Sequence, residues 1–105
     1  MSVAMLIKFK AQDQRSLYLP MATEGTYSRE WVSVARKLGL PWLPLFQTGI
    51  KVEVADLPAV MDELRQLRAA LVDNPGSTPV VERIDSIIEA LSEVEPAEIA
   101  EIFIG

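Results

Sequence analysis

Residues 49–71 read GIKVEVADLPAVMDELRQLRAAL, and the spacing of the apolar residues changes within this stretch. Residues 50–54 alternate between β-branched and charged side chains, which predicts a strand with one buried face. Asp56 is the expected N-cap of a following helix, and Pro58 fits its first turn, where a missing N–H costs nothing. The helix then carries one apolar stripe, made of Leu57, Val60, Met61, Leu64, Leu67 and Leu71. The stretch therefore predicts a strand that continues directly into a helix.

Two further strands are predicted near the beginning of the chain. Residues 3–9 alternate between an apolar face and a second face that becomes polar toward its end. The apolar run at residues 16–19 ends at Pro20, which predicts a short second strand that forms a hairpin with the first strand. Residues 21–26 are expected to form a loop in which Gly25 is free to adopt a positive φ.

A helix and an unusual apolar segment come next. Thr26 or Ser28 can cap the helix, and Gly39 is placed to end it. Residues 40–46, LPWLPLF, contain five large apolar side chains and two prolines. We interpret them as a lid over one end of the core, with both aromatic rings inward. The alternative is an exposed apolar contact patch that offers a partly exposed Trp42 to a partner.

A helical hairpin and a final strand complete the predicted fold. Residues 73–78 have turn chemistry, and their Pro-Gly pair suits a type II turn. A second apolar stripe follows, so residues 56–93 predict an antiparallel helical hairpin. Residues 96–104 are ambiguous, and a turn of helix followed by a strand is favoured. If residues 102–104 form that strand, their apolar sequence predicts burial on both faces.

These elements predict one α+β domain over residues 1–105, with a small mixed or antiparallel sheet of three or four strands covered by three helices. Half of the residues are hydrophobic, which is ample for a packed core.

The longest apolar runs are far shorter than the ~20 residues that a membrane-spanning helix needs. The first residues also make a poor signal peptide, so we expect a cytoplasmic protein without membrane contact.

The composition removes several classes of chemistry. The chain has no histidine and no cysteine, which excludes histidine general bases, cysteine nucleophiles and metal sites built on either residue. It also lacks a glycine-rich phosphate loop, and its basic residues are not interleaved with aromatics as in nucleic-acid binders. We therefore predict no catalytic residue, no cofactor, no metal site and no nucleic-acid partner.

The charge is distributed unevenly along the chain. Residues 1–52 carry a net charge of +4 and residues 53–105 carry −9. Near the end of the chain five acids cluster in sequence: Glu89, Glu93, Glu95, Glu98 and Glu101. Asp85, Glu89 and Glu93 form one helical row of like charges, which is mildly unfavourable for the helix. We interpret the five acids as a binding patch for a basic protein. The alternative is a solvated surface that only maintains solubility.

Several local features resemble the small immunity proteins that bacteria encode beside toxins. They are Trp31 on the first helix, the Gly39-Leu40-Pro41 break, the Asp56-Leu57-Pro58 junction and the terminal Phe103-Ile104-Gly105. The resemblance implies a non-catalytic protein that binds and neutralises a cognate toxin, and it transfers no site residue. The charge pattern adds the expectation that the toxin is basic and contacts the five acids, and the apolar segment 40–46 adds Trp42 as a contact. Alternatives are a homodimeric small-molecule sensor or regulatory domain and a carboxylate-dependent enzyme.

Overall fold

Residues 2–105 form one sheet of four strands, all antiparallel, in the order β2-β1-β4-β3. The computed structural model describes residues 2–105. The strand bounds are Ser2–Phe9 (β1), Leu17–Thr23 (β2), Ile50–Val52 (β3) and Ile99–Ile104 (β4). The predicted α+β fold is confirmed, and the tail strand β4 occupies a central position in the sheet.

Within residues 2–105, four helices accompany the sheet, and three of them are long. Helix α1 covers residues 24–38 in three consecutive segments, and the others are Trp42–Leu45 (α2), Leu57–Leu71 (α3) and Thr78–Ser92 (α4). Short 3₁₀ turns precede α3, α4 and β4 at Val54–Asp56, Pro75–Ser77 and Pro96–Glu98. In the chain from residue 2 onward, no helix is both long and apolar enough to cross a membrane.

The core lies between the helices and one face of the sheet, which we call the inner sheet face. Its strand residues are buried: Val3, Met5, Ile7, Val52, Ile102 and Ile104. The predicted stripe of α3 packs into the same core, except that Met61 is only half-buried. Helices α3 and α4 form the predicted hairpin, and Arg68 near the end of α3 pairs with Asp85 of α4.

The middle segment of α1, Tyr27–Val32, is a π-helix. Its i→i+5 hydrogen bonds widen the turn, so residues four and five positions apart point in the same direction. Tyr27, Trp31 and Val32 are all buried as a result, and the two aromatic ring centroids lie 5.3 Å apart. The helical spacing in the sequence did not predict this wider turn.

The prediction that Pro20 ends the second strand is wrong. Strand β2 continues to Thr23, and a shift in register opposite Val3 and Ala4 leaves Met21 as the extra residue of a bulge. Proline is tolerated because β2 is an edge strand, where a missing backbone N–H breaks no ladder. The loop predicted for residues 21–26 is consequently absent.

Helix α1 begins earlier than predicted. Thr23 is the N-cap, and its side-chain oxygen accepts a hydrogen bond from the backbone N–H of Thr26 at 3.3 Å. Gly25 lies inside the helix and has no positive φ. The helix ends as predicted at Gly39, which has a φ of 73° in the left-handed region.

Three junction predictions also need correction. Asp56 makes no side-chain capping bond, because the 3₁₀ turn before α3 already occupies the N-cap region and Asp56 donates its own N–H to Glu53. Gly76 has no positive φ, so the Pro-Gly turn is 3₁₀ rather than type II, with the Asn74 side chain accepting from the Gly76 N–H. Residues 102–104 form a strand, but Phe103 is 41% exposed, so they are not buried on both faces.

Candidate partner-binding surfaces

The acidic end of α4 comprises Glu89, Glu93, Glu95 and Glu98, which are all exposed. Glu89 and Glu93 lie in and just after the last turns of α4, and the other two follow in the connection to β4. The last turn of α4 contains no basic residue. Because a helix C-terminus carries partial negative charge, carboxylates here are disfavoured.

The acidic end has no ionic partner within the part of the chain that the structure describes. The ion pairs found there join Lys8 and Lys51 to Glu101, and Arg68 to Asp85. Asp85 is therefore neutralised across the helical hairpin, while Glu89 and Glu93 of the same row are not. Among residues 2–105, no three acidic side chains converge closely enough to hold a metal ion.

Glu101, the fifth predicted acid, has a different environment. It lies on β4 between two lysines on neighbouring strands, at 3.7 Å from Lys8 and 2.9 Å from Lys51. Hydrogen bonding to Lys51 and the charges of both lysines hold the pKa of the Glu101 carboxyl below its ordinary value. The structure therefore places Glu101 in an ion-pair cluster on the sheet, unlike the four unpaired acids.

Trp42 lies in α2, within the segment interpreted as a lid. Leu43 and Phe46 of this segment are fully buried, whereas Leu45 is exposed and Trp42 is half-buried. The lid interpretation is thus correct for Phe46, and for Trp42 it holds only in part. Trp42 therefore packs partly against the core and keeps a smaller part of its surface in contact with solvent.

Glu63 is a buried residue that the sequence interpretation missed. It lies on α3 with 5% of its surface exposed, and its carboxylate accepts hydrogen bonds from the backbone N–H groups of Trp42 and Leu43 at 3.0 Å. It therefore caps the N-terminus of α2 from another helix. Glu63 lies three residues after Val60 and four before Leu67, which places it on the buried stripe of α3. This spacing was the signal in the sequence that Glu63 is buried.

Tyr27 of α1 also bonds to the backbone of α2, beside the bonds that Glu63 makes. Its hydroxyl donates to the carbonyl oxygen of Leu43 at 2.6 Å. Burial, and secondarily the charge of Glu63, raise the pKa of Tyr27 far above its ordinary value, so the hydroxyl stays a donor. Together Tyr27 and Glu63 bind the amides of Trp42 and Leu43 and the carbonyl of Leu43, which holds the backbone of α2 at Trp42 in place.

The outer sheet face is the face of the sheet opposite the helices. It presents an apolar row in which Tyr18 is 59% exposed and Phe103 is 41% exposed, with Leu6 between them. A depression of ≈ 280 Å³ on this face is lined by Leu6, Lys8, Glu101 and Phe103. The sequence contained a signal for this face, because each aromatic residue alternates with inward-facing aliphatic neighbours.

Comparison with known proteins adds no relative. The chain matches no family model, and no curated protein sequence or solved structure shows significant similarity to it.

Proposed function

We propose that this protein is a non-catalytic binding protein that captures a basic protein partner, the role of an immunity protein that neutralises a cationic toxin. The observation that carries this proposal is the acidic end of α4, where four exposed carboxylates have no basic partner among residues 2–105. Such a protein would act in the cytoplasm, the compartment that its sequence predicts.

The acidic end is unfavourable for the isolated fold. Glu89 and Glu93 repel each other at i,i+4 spacing, and both oppose the dipole of α4. Asp85, one turn earlier in the same row, is relieved of this repulsion by Arg68. A basic partner surface would provide the missing compensation for the other acids, and the net charge of −9 on residues 53–105 would steer it toward the protein.

Trp42 is the proposed apolar contact for the same partner. Hydrogen bonds with Glu63 and Tyr27 hold the backbone of α2 in place, so presenting the partly exposed Trp42 to a partner would cost little backbone ordering. Exposed Leu45 on the same short helix extends the apolar area. Aromatic side chains of this kind often contribute most of the binding energy of an interface.

The test uses the protein encoded by the neighbouring open reading frame as the candidate partner. Association rates are measured across a salt series for the parent and for the triple variant Glu89→Lys, Glu93→Lys, Glu98→Lys. We expect the variant to associate at least about 10-fold more slowly at low salt. The difference should fade as the Debye length falls to about 8 Å near physiological salt.

A second triple variant controls for net charge alone. It changes three exposed acids outside the acidic end to lysine: Glu53, Asp73 and Glu82. The control changes the total charge by the same amount, so it should slow association much less if the acidic end is the binding surface. Equal slowing of both variants, or no slowing of the first, would show that the acidic end is only a solvated surface.

A further inference from the structure

The outer sheet face carries two side-chain rows that run across the strands. The first row crosses all four strands through directly paired residues and consists of Tyr18, Leu6, Phe103 and Lys51. The second pairs Lys8 of β1 with Glu101 of β4. The first row therefore ends in an aromatic ring and an amine, and the second in an amine and a carboxylate. Another surface can match each row in only one direction.

Phe103 is held in place although it is exposed. A Cβ atom at Gly49 would lie 3.0 Å from the Phe103 ring, and one at Gly105 would lie 3.1 Å from it. The ring thus rests on the bare backbone of two glycines, where any larger residue would crowd it. An exposed ring that already packs against the backbone has less freedom to lose when it binds a matching surface.

We propose that the outer sheet face is a homodimer interface. The second copy packs its own outer sheet face against it, about a two-fold axis that runs parallel to the strands between β1 and β4. Such an axis keeps each row at the same position along the strand direction. It places β1 opposite the partner's β4 and β2 opposite the partner's β3. The two sheets would then stack in the aligned manner of β-sandwiches, about 10 Å apart.

This symmetry places complementary groups opposite each other. In the first row, Tyr18 faces the partner's Lys51, a cation–π pair, and Leu6 faces the partner's Phe103. In the second row, Lys8 faces the partner's Glu101. Every contact occurs twice. A two-fold axis along the rows would instead bring Lys51 against the partner's Lys51, a repulsive arrangement.

The charges of the face favour a second copy over other occupants. Lys8, Lys51 and Glu101 are of mixed sign, so the face is neither basic enough for nucleic acid nor acidic enough for a cationic surface. Four strands about 4.8 Å apart, with about six residues of about 3.3 Å rise each, cover roughly 20 by 20 Å. This area of about 400 Å² is roughly half of the standard 800 Å² per partner, so we expect a weak, readily reversible dimer.

Sedimentation velocity over a concentration series tests the proposal. The parent should pass from monomer to dimer as its concentration rises, and Phe103→Lys should raise the dimer dissociation constant at least about 10-fold. Val72→Lys is the matched control, because Val72 is 46% exposed on the helical layer and should leave the dimer intact. A parent that remains monomeric at all concentrations, or a dimer unaffected by Phe103→Lys, overturns the proposal.

A charge-exchange experiment tests the axis and does not depend on any apolar substitution. Lys8→Glu alone and Glu101→Lys alone each place like charges across the interface, so each variant should dimerise more weakly than the parent. Mixed in equal amounts, they should form a heterodimer.

In the heterodimer, the carboxylate introduced at position 8 of one chain faces the amine introduced at position 101 of the other, and the two unchanged residues at these positions also pair. The ion pair within each chain stays broken in both variants. Failure of the mixture to associate better than either variant alone overturns the pairing of β1 with β4 of the second copy.

Discussion

The two faces of the sheet are made by the same strands and have opposite properties. On β1 and β4, Ile7 and Ile102 of the inner sheet face are almost fully buried beneath the helices. Their neighbours Lys8 and Phe103 point the other way and remain exposed. Since successive side chains of a strand alternate between faces, one short sequence supplies both a core and a recognition surface. Burial by the helices decides which face contributes to stability.

The same contrast holds for the two anchored carboxylates. Glu63 lies inside, where backbone N–H groups of α2 satisfy it with little water nearby. Glu101 lies on the outer sheet face, where two exposed lysines pair with it in water. An unpaired buried group is costly, whereas an exposed ion pair contributes little, so loss of the inner carboxylate should be the more harmful.

The largest expected effects are on the inner side, in the helical hairpin. Leu64 and Ile87 are almost completely buried on α3 and α4. Leu64→Ala and Ile87→Ala should each lower the free energy of unfolding by ~2–5 kcal/mol, because each leaves a cavity in the core. Denaturant unfolding measures this, with Val72→Ala as the exposed control. Losses below about 1 kcal/mol at both sites would contradict the packing of the hairpin.

Glu63→Ala comes next. It should lower the free energy of unfolding by about 2–4 kcal/mol, because a buried and a partly buried backbone N–H group lose their carboxylate acceptor. Asp62→Ala is the matched control, since Asp62 is exposed and bonds only to Gln66. Hydrogen exchange should show the amides of Trp42 and Leu43 exchanging faster in Glu63→Ala alone. Unchanged exchange of these amides would mean that Glu63 does not cap α2.

Substitutions at two adjacent residues of β4 directly compare how much each face contributes to stability. Phe103→Ala should lower the free energy of unfolding of the monomer by less than about 1 kcal/mol, since the ring is already partly exposed. Ile102→Ala, on the inner sheet face, should lower it by ~2–4 kcal/mol. Unfolding is followed at low protein concentration, so that association does not contribute. Similar losses for the two variants would remove the distinction between the faces.

The smallest effect concerns the pKa of Glu101, which ion pairing lowers. Because its folded pKa is depressed, its contribution to stability is complete above the ordinary carboxyl pKa and is lost as the pH falls through the folded value. Lys51→Met should move the pKa of Glu101 upward, toward its ordinary value, as followed by NMR titration of the side chain. Glu98, which has no ion pair within residues 2–105, serves as the reference resonance. An unchanged pKa would show that Lys51 is not its main partner.

The sequence was most informative where structure depends on near neighbours. The period of two at residues 50–54 and the helical stripe from Leu57 to Leu71 predicted β3 and α3, although the strand ends at Val52. Gly39 ended its helix as expected, because a left-handed residue suits glycine in almost any surroundings. These signals are local, since propensity and periodicity act within a few residues along the chain.

Other features required the tertiary structure because they depend on distant segments. Pro20 is accepted inside β2 only because that strand lies at the edge of the sheet, a fact of strand order. Glu63 and Trp42 are 21 residues apart, and only the packing of α2 on α3 brings them together. Likewise, only the placement of β4 between β1 and β3 gives Glu101 two lysine partners, while the other four acids have none in the described chain. Residue pattern determined which side chains face inward, and strand order and helix packing decided which charges meet a partner.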